Sequence, residues 1–126
     1  MTRASIALPV AVALLALTGC GEVGQAAKEG FEIGKRQGML QVAGAEAIEQ
    51  RTGIPLKGDL SCDVENEDPS ATAFTCRGAA EDGREITLIA IVTSTAPLSR
   101  SDWVRGEFVV RSGEEELFRA DCLGNC

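Results

Sequence analysis

The sequence predicts an α+β fold in which one N-terminal helix packs on an antiparallel sheet of about five strands, stapled by disulfides. Three observations support this class. Residues that favour helix (Ala, Glu, Gln, Lys) concentrate before Gly53, while β-branched and apolar residues dominate after Leu56. Turn residues punctuate the second half, Asp82-Gly83 most clearly. Four of the five cysteines lie in that half of a chain whose only aromatics are four phenylalanines and one tryptophan, so cross-links can supplement a modest core.

In the helical part, Gly24, Gly30, Gly34, Gly38 and Gly44 interrupt the favourable residues. Each glycine in a helix interior costs about 1 kcal/mol relative to alanine. Residues 20–38 are therefore expected to form a tether that is helical only in part. The helix proper should begin near Met39, where Leu40, Ala43, Ala47 and Ile48 recur at helical spacing, and stop at Gly53 before Ile54-Pro55. Gly30, Gly34 and Gly38 fall four apart, the spacing of a membrane dimer face. Glu32, Lys35 and Arg36 interleave with them and exclude a spanning helix there, which favours a flexible tether.

In the sheet part, "GDLSCDVE" and "ATAFTCRG" alternate loosely, and "REITLIAIVTST" is the strongest strand. "EDPS" and "AEDGRE" supply turns, "APLSRSDW" a connector, and "GEFVVRSGEEELFRAD" a hairpin around Ser112-Gly113. Phe74, Ile86, Leu88, Ala90, Phe108 and Val110 are the expected core. Ile89 and Ile91 then fall on the opposite face, which needs cover from the C-terminal hairpin or from a partner.

Upstream, Arg3 precedes an uncharged run from Ile6 to Leu17 and then Thr18-Gly19-Cys20. This is the layout of an export signal. The run falls short of the roughly 20 residues that cross a bilayer as a helix, and Pro9 disturbs it further. Leu17-Thr18-Gly19-Cys20 resembles the lipobox of bacterial lipoproteins, where a small residue precedes a cysteine that receives a diacylglyceryl group. The resemblance implies cleavage before Cys20, lipidation of Cys20, and attachment to the extracytoplasmic face of a bacterial cell membrane. Gly21 carries no acid of the kind that retains Gram-negative lipoproteins at the inner membrane. The expected division is a lipoprotein signal peptide at 1–19, a lipid-anchored tether at 20–38, and a single α+β domain at 39–126.

Cys62, Cys76, Cys122 and Cys126 remain, an even number in a compartment that permits disulfides, with three possible pairings. Pairing Cys62 with Cys76 is favoured, because both lie in strand-like stretches joined by a polar turn. Cys122 with Cys126 would close the short loop "CLGNC"; crossed pairing would instead staple the tail to the sheet. A zinc site is not expected without histidine or a C-x2-C pair, and thiol oxidoreductase chemistry also lacks its motif.

Catalytic constellations are scarce. With no histidine, a Ser-His-Asp or Cys-His arrangement is impossible, which leaves carboxylates alone. The densest group is Asp63, Glu65, Glu67 and Asp68. Counted as a calcium loop from Asp63, position 6 is Asp68 rather than glycine and position 12 is Phe74 rather than an acid, so the cluster reads as a solvated turn. Glu114-Glu115-Glu116 reads as a charged hairpin edge. Trp103, between Arg100 and Arg105, reads as a core or rim tryptophan, with a cation–π binding role as the alternative. No metal or cofactor is expected. The net charge of −7 and the few aromatics argue against nucleic acid as a partner.

From Ala45 to about Thr95 the chain has a helix ending at Gly53, then Cys62, Ala73-Phe74-Thr75-Cys76, Asp82-Gly83 and a β-branched strand. This half of the mature chain resembles small exported actinobacterial proteins that carry a cysteine-paired domain of unknown function. Those proteins usually show Cys-Pro where this chain has Cys62-Asp63, and a glycine where it has Ser70-Ala71-Thr72. The resemblance implies a Cys62–Cys76 pair and no catalytic residue. The expectation is a lipid-anchored, non-enzymatic module that binds an envelope protein; the alternative is a carrier or sensor holding a small apolar ligand between helix and sheet.

Overall fold

The computed structural model describes residues 20–100 and 102–126. The expected signal peptide at 1–19 lies outside the described residues. The elements are α1 (Cys20–Thr52), β1 (Leu56–Asn66), β2 (Thr72–Ala80), β3 (Glu85–Thr95), β4 (Trp103–Ser112) and β5 (Glu115–Gly124). The strands form one sheet in the order β1-β2-β3-β4-β5, and every neighbouring pair is antiparallel. Helix α1 lies across one face and touches all five strands.

The helix departs from the sequence expectation in extent: it runs as one element of 33 residues from Cys20 rather than starting near Met39. Two causes oppose the glycine penalty. The residues between the glycines are good helix formers, and contacts with the sheet begin well before Met39. Ile33 packs against the core, Arg36 donates to Val92 O at 3.1 Å, and Gln37 donates to Cys62 O. Tertiary docking of this kind outweighs intrinsic propensity. The buried face is the row of pairs Met39/Leu40, Ala43/Gly44 and Ala47/Ile48, spaced one helical turn apart.

Gly53 ends the helix with φ 69° while its N–H donates to Glu49 O at 3.0 Å, the left-handed cap that glycine adopts without a Cβ penalty. The Glu49 carboxylate then accepts from Leu56 N at 3.1 Å and turns the chain into β1.

All the core residues expected from the sequence are buried, and the pattern in β3 alternates strictly from Ile86 to Val92, with even positions inward. The Asp82-Gly83 hairpin is present, Gly83 at φ 91° and Gly83 N donating to Ala80 O at 2.9 Å. At the last hairpin the turn falls on Gly113-Glu114, with Gly113 at φ 62°. Cys62 and Cys76 face each other across β1 and β2 and form a disulfide inside the core.

One expectation is corrected in part. The C-terminal hairpin does not fold over the second face of the sheet; β4 and β5 pair in line with β3 and widen that face instead.

Candidate functional site

The uncovered face of the sheet is built by the register. Asp63, Thr75, Ile89, Val109 and Arg119 stand opposite one another across the five strands. A second row joins Arg77, Thr87, Arg111 and Glu116, and a third joins Ala73, Ile91 and Glu107. Period-two alternation puts these side chains opposite the helix, so Ile89 stays 46% and Ile91 36% exposed. The Arg77 Nη1–Asp63 Oδ2 pair at 3.3 Å and the Arg119 Nε–Glu116 Oε1 pair at 2.7 Å flank this apolar centre. These exposed pairs contribute at most about 1 kcal/mol each, so the charges shape a rim more than they hold the fold.

A second feature is a cleft of about 320 Å3 where α1 passes the ends of β4 and β5, lined in part by Val42, Glu46, Gln50, Asp102 and Asn125. Asp102 O accepts from Asn125 N at 2.8 Å, which fixes the tail beside the helix, while Asp102 Oδ1 is buried with no hydrogen-bond partner among the described residues. Arg51 anchors the corner from the helix side: its guanidinium lies 5.2 Å from the Phe118 ring centroid and reaches Cys122 O at 3.4 Å.

The residues singled out from sequence are dispersed. Helix α1 begins at Cys20. The Cys122 and Cys126 sulfurs meet at the end of β5, far along the sheet from the buried Cys62–Cys76 bridge. Trp103 is partly buried against the core with Arg105 Cζ 5.2 Å from its ring centroid, so the aromatic serves packing and a cation contact together.

The acidic run makes a turn: Asp68 Oδ1 accepts from Ser70 N at 2.9 Å and Ser70 Oγ at 2.7 Å. The Ser70 hydroxyl first, then its N–H, hold the Asp68 carboxyl below the usual carboxylate range against a smaller opposing desolvation. Glu115 and Glu116 open β5, an edge strand, where charge discourages pairing between molecules.

Between helix and sheet the layers are in direct contact. Leu40, Ile48 and Leu88 are fully buried, and a Cβ added at Gly44 would stand 2.7 Å from Leu88 Cδ2.

Sequence reasoning missed Arg36, Gln37, Arg51 and Asp102. The first two lie one helical turn before the apolar pair Met39/Leu40, and that spacing was their available signal. Asp102 had no local signal, because its environment comes from the helix and from the tail after β5. No protein-family model, curated protein or solved structure matches this chain.

Proposed function

We propose that this chain is a lipid-anchored module, held through Cys20 to the extracytoplasmic face of a bacterial membrane, that binds another envelope protein and performs no catalysis. It would belong with the small exported actinobacterial lipoproteins whose cysteine-paired domain it resembles. The observation that carries the reading is the open face of the sheet, where Ile89 and Ile91 stand exposed between charged rims. An apolar centre with a polar rim is the usual anatomy of a protein interface. The carrier alternative draws less support, since Gly44 and Leu88 leave no room for a ligand between the layers at that point.

Anchoring fits the helix. Twelve residues lie between Cys20 and Ile33, whose side chain packs on the core. At 1.5 Å per residue, that would hold the domain about 20 Å from the lipid.

The test uses the full chain in its native membrane, with a photo-cross-linking residue at position 89 and, as control, at Arg84. One protein recovered repeatedly from position 89 and not from 84, and lost in an Ile91→Lys variant of unchanged stability, is the expected result. Recovery of no protein from position 89 rejects the binding function. The intact mass, with or without two or three acyl chains on Cys20, tests the anchor separately.

A further inference from the structure

The two cysteine pairs sit in opposite environments. Cys62 and Cys76 are 3% and 0% exposed within the core. Cys126 is exposed and Cys122 half-buried, and both line a recess of about 310 Å3 together with Arg105 and Asp121. We propose that the Cys122–Cys126 pair is a site of thiol–disulfide exchange that takes an outside thiol as a covalent ligand while Cys62–Cys76 stays closed. This goes beyond the binding function proposed above and does not depend on it.

Exchange requires a thiolate to reach a disulfide sulfur and the other sulfur to leave as a thiolate. Accessibility selects the sulfur attacked. The incoming thiol loses its proton to solvent and attacks Cys126 Sγ, the sulfur carried by the more exposed residue of the pair, and the Cys122–Cys126 bond breaks as the new bond forms. The electron pair of the broken bond leaves on Cys122 Sγ. The products are a mixed disulfide on Cys126 and a Cys122 thiolate, and no further oxidant or reductant enters. The core pair cannot follow this route unless α1 lifts from the sheet, because Cys62 and Cys76 are buried in the core between them.

The charges around the recess set the rate. Arg105, from β4, lines it and stabilises a thiolate leaving on Cys122; Arg51, from α1, adds positive charge through its contact with Cys122 O at 3.4 Å. Asp121, from β5, lines the same recess and opposes them. Arg105 and Asp121 thus act as positioning residues of opposite sign. The shared chemistry of the ligand is an unhindered thiolate, carried either by a low-mass thiol or by a protein cysteine.

The oxidised full chain is incubated with reduced glutathione and, in parallel, with a folded protein bearing one exposed cysteine, then quenched by alkylation and mapped by peptide mass spectrometry. The expected result is an adduct on Cys126, an alkylated Cys122 and an intact Cys62–Cys76 pair. Arg105→Gln should slow the exchange about threefold and Asp121→Asn should speed it about threefold, with pH profiles displaced in opposite directions. Unfolding midpoints are compared to exclude general loosening of the fold. Adducts in both arms, or with glutathione alone, support the site and separate the two thiol sources. Reaction first at Cys62 or Cys76, opening of both pairs together, no adduct in either arm, or variants with unchanged rates would overturn the proposal.

Discussion

Arg36 on helix α1 donates through Nη1 to Thr72 Oγ1 at 2.9 Å, and Thr72 Oγ1 donates in turn to Asp68 O at 2.9 Å. Thr72 is fully buried at the start of β2, so the helix is fastened to the β1–β2 turn through a hydroxyl hidden from water. The same Nη1 reaches Val92 O, which ties the helix to β3 as well. This short relay explains why docking extends upstream of Met39 despite the glycines.

Arg36→Ala should cost about 2 kcal/mol, the scale for hydrogen bonds from a charged group whose partly buried acceptors are left unpaired. Arg36→Lys should lose less, since an ammonium keeps the charge but not the fork whose Nη1 reaches Thr72 and Val92 while its Nη2 reaches Thr93 O. Urea unfolding checks this. A change below about 0.5 kcal/mol for Arg36→Ala would mean that the segment before Met39 is not held to the sheet.

The glycines of α1 should separate into two classes. A Cβ at Gly30, Gly34 or Gly38 meets nothing within 4 Å among the described residues, so alanine at each should stabilise the helix by about 0.5–1 kcal/mol. At Gly44 the added methyl would stand 2.7 Å from Leu88 Cδ2 and 3.2 Å from Leu60 Cδ1. Gly44→Ala should therefore destabilise by about 1 kcal/mol after the propensity gain is offset by repacking of a filled core. Thermal melts of the four single variants give the sign of each, and a stabilised Gly44→Ala would contradict the close contact of helix and sheet.

The core bridge should carry more stability than its size suggests. Cys62 and Cys76 lie 14 residues apart, so the chain-entropy relation assigns their bond about 3 kcal/mol. A Cys62→Ala, Cys76→Ala double variant also loses packing beneath α1, so its stability should fall by at least that amount. The Cys122–Cys126 bridge closes a much shorter loop at the surface, so the stability of a Cys122→Ala, Cys126→Ala variant should fall by about 2 kcal/mol or less. Equal losses in guanidinium unfolding would remove the distinction between the two pairs.

The sheet was legible in the sequence because its signals are local. Alternation in "REITLIAIV" placed Ile86, Leu88 and Ala90 inward and Ile89 and Ile91 outward, and Asp82-Gly83 and Gly53 marked their own turns through backbone conformations glycine favours. The extent of α1 was not legible, because the contacts that offset Gly30, Gly34 and Gly38 come from Thr72, Val92 and Cys62, 25 residues or more away along the chain. The path of the last hairpin was equally hidden: its alternation suits a strand in line with β3 as well as one folded over Ile89. The features of the candidate sites, the row from Asp63 to Arg119 and the corner at Asp102, exist only once distant strands are in register.

Acidification should loosen the β2–β3 hairpin at an unusually low pH. Asp82 Oδ1 accepts from Arg84 N at 3.0 Å, and Arg84 Nε lies 2.7 Å from Asp82 Oδ2. The backbone bond chiefly, with help from the Arg84 side chain and against some desolvation, holds the Asp82 carboxyl below the usual carboxylate range. Because the folded value is depressed, the stabilisation is complete above the unfolded-state pKa and is lost as pH falls through the folded one. The Arg84 amide resonance should therefore titrate with a midpoint below the ordinary range for aspartate. Asp82→Asn keeps a side-chain oxygen to accept from Arg84 N and removes the titration, so its hairpin signals should stay flat over the same window. Raising the salt concentration should weaken the Arg84 side-chain share, since both groups are exposed, and leave the backbone share. A midpoint at or above the ordinary range in the folded chain would show that the Arg84 N–H does not bind the Asp82 carboxylate, and the turn would then rest on its backbone bonds, Gly83 N to Ala80 O and Ala80 N to Arg84 O.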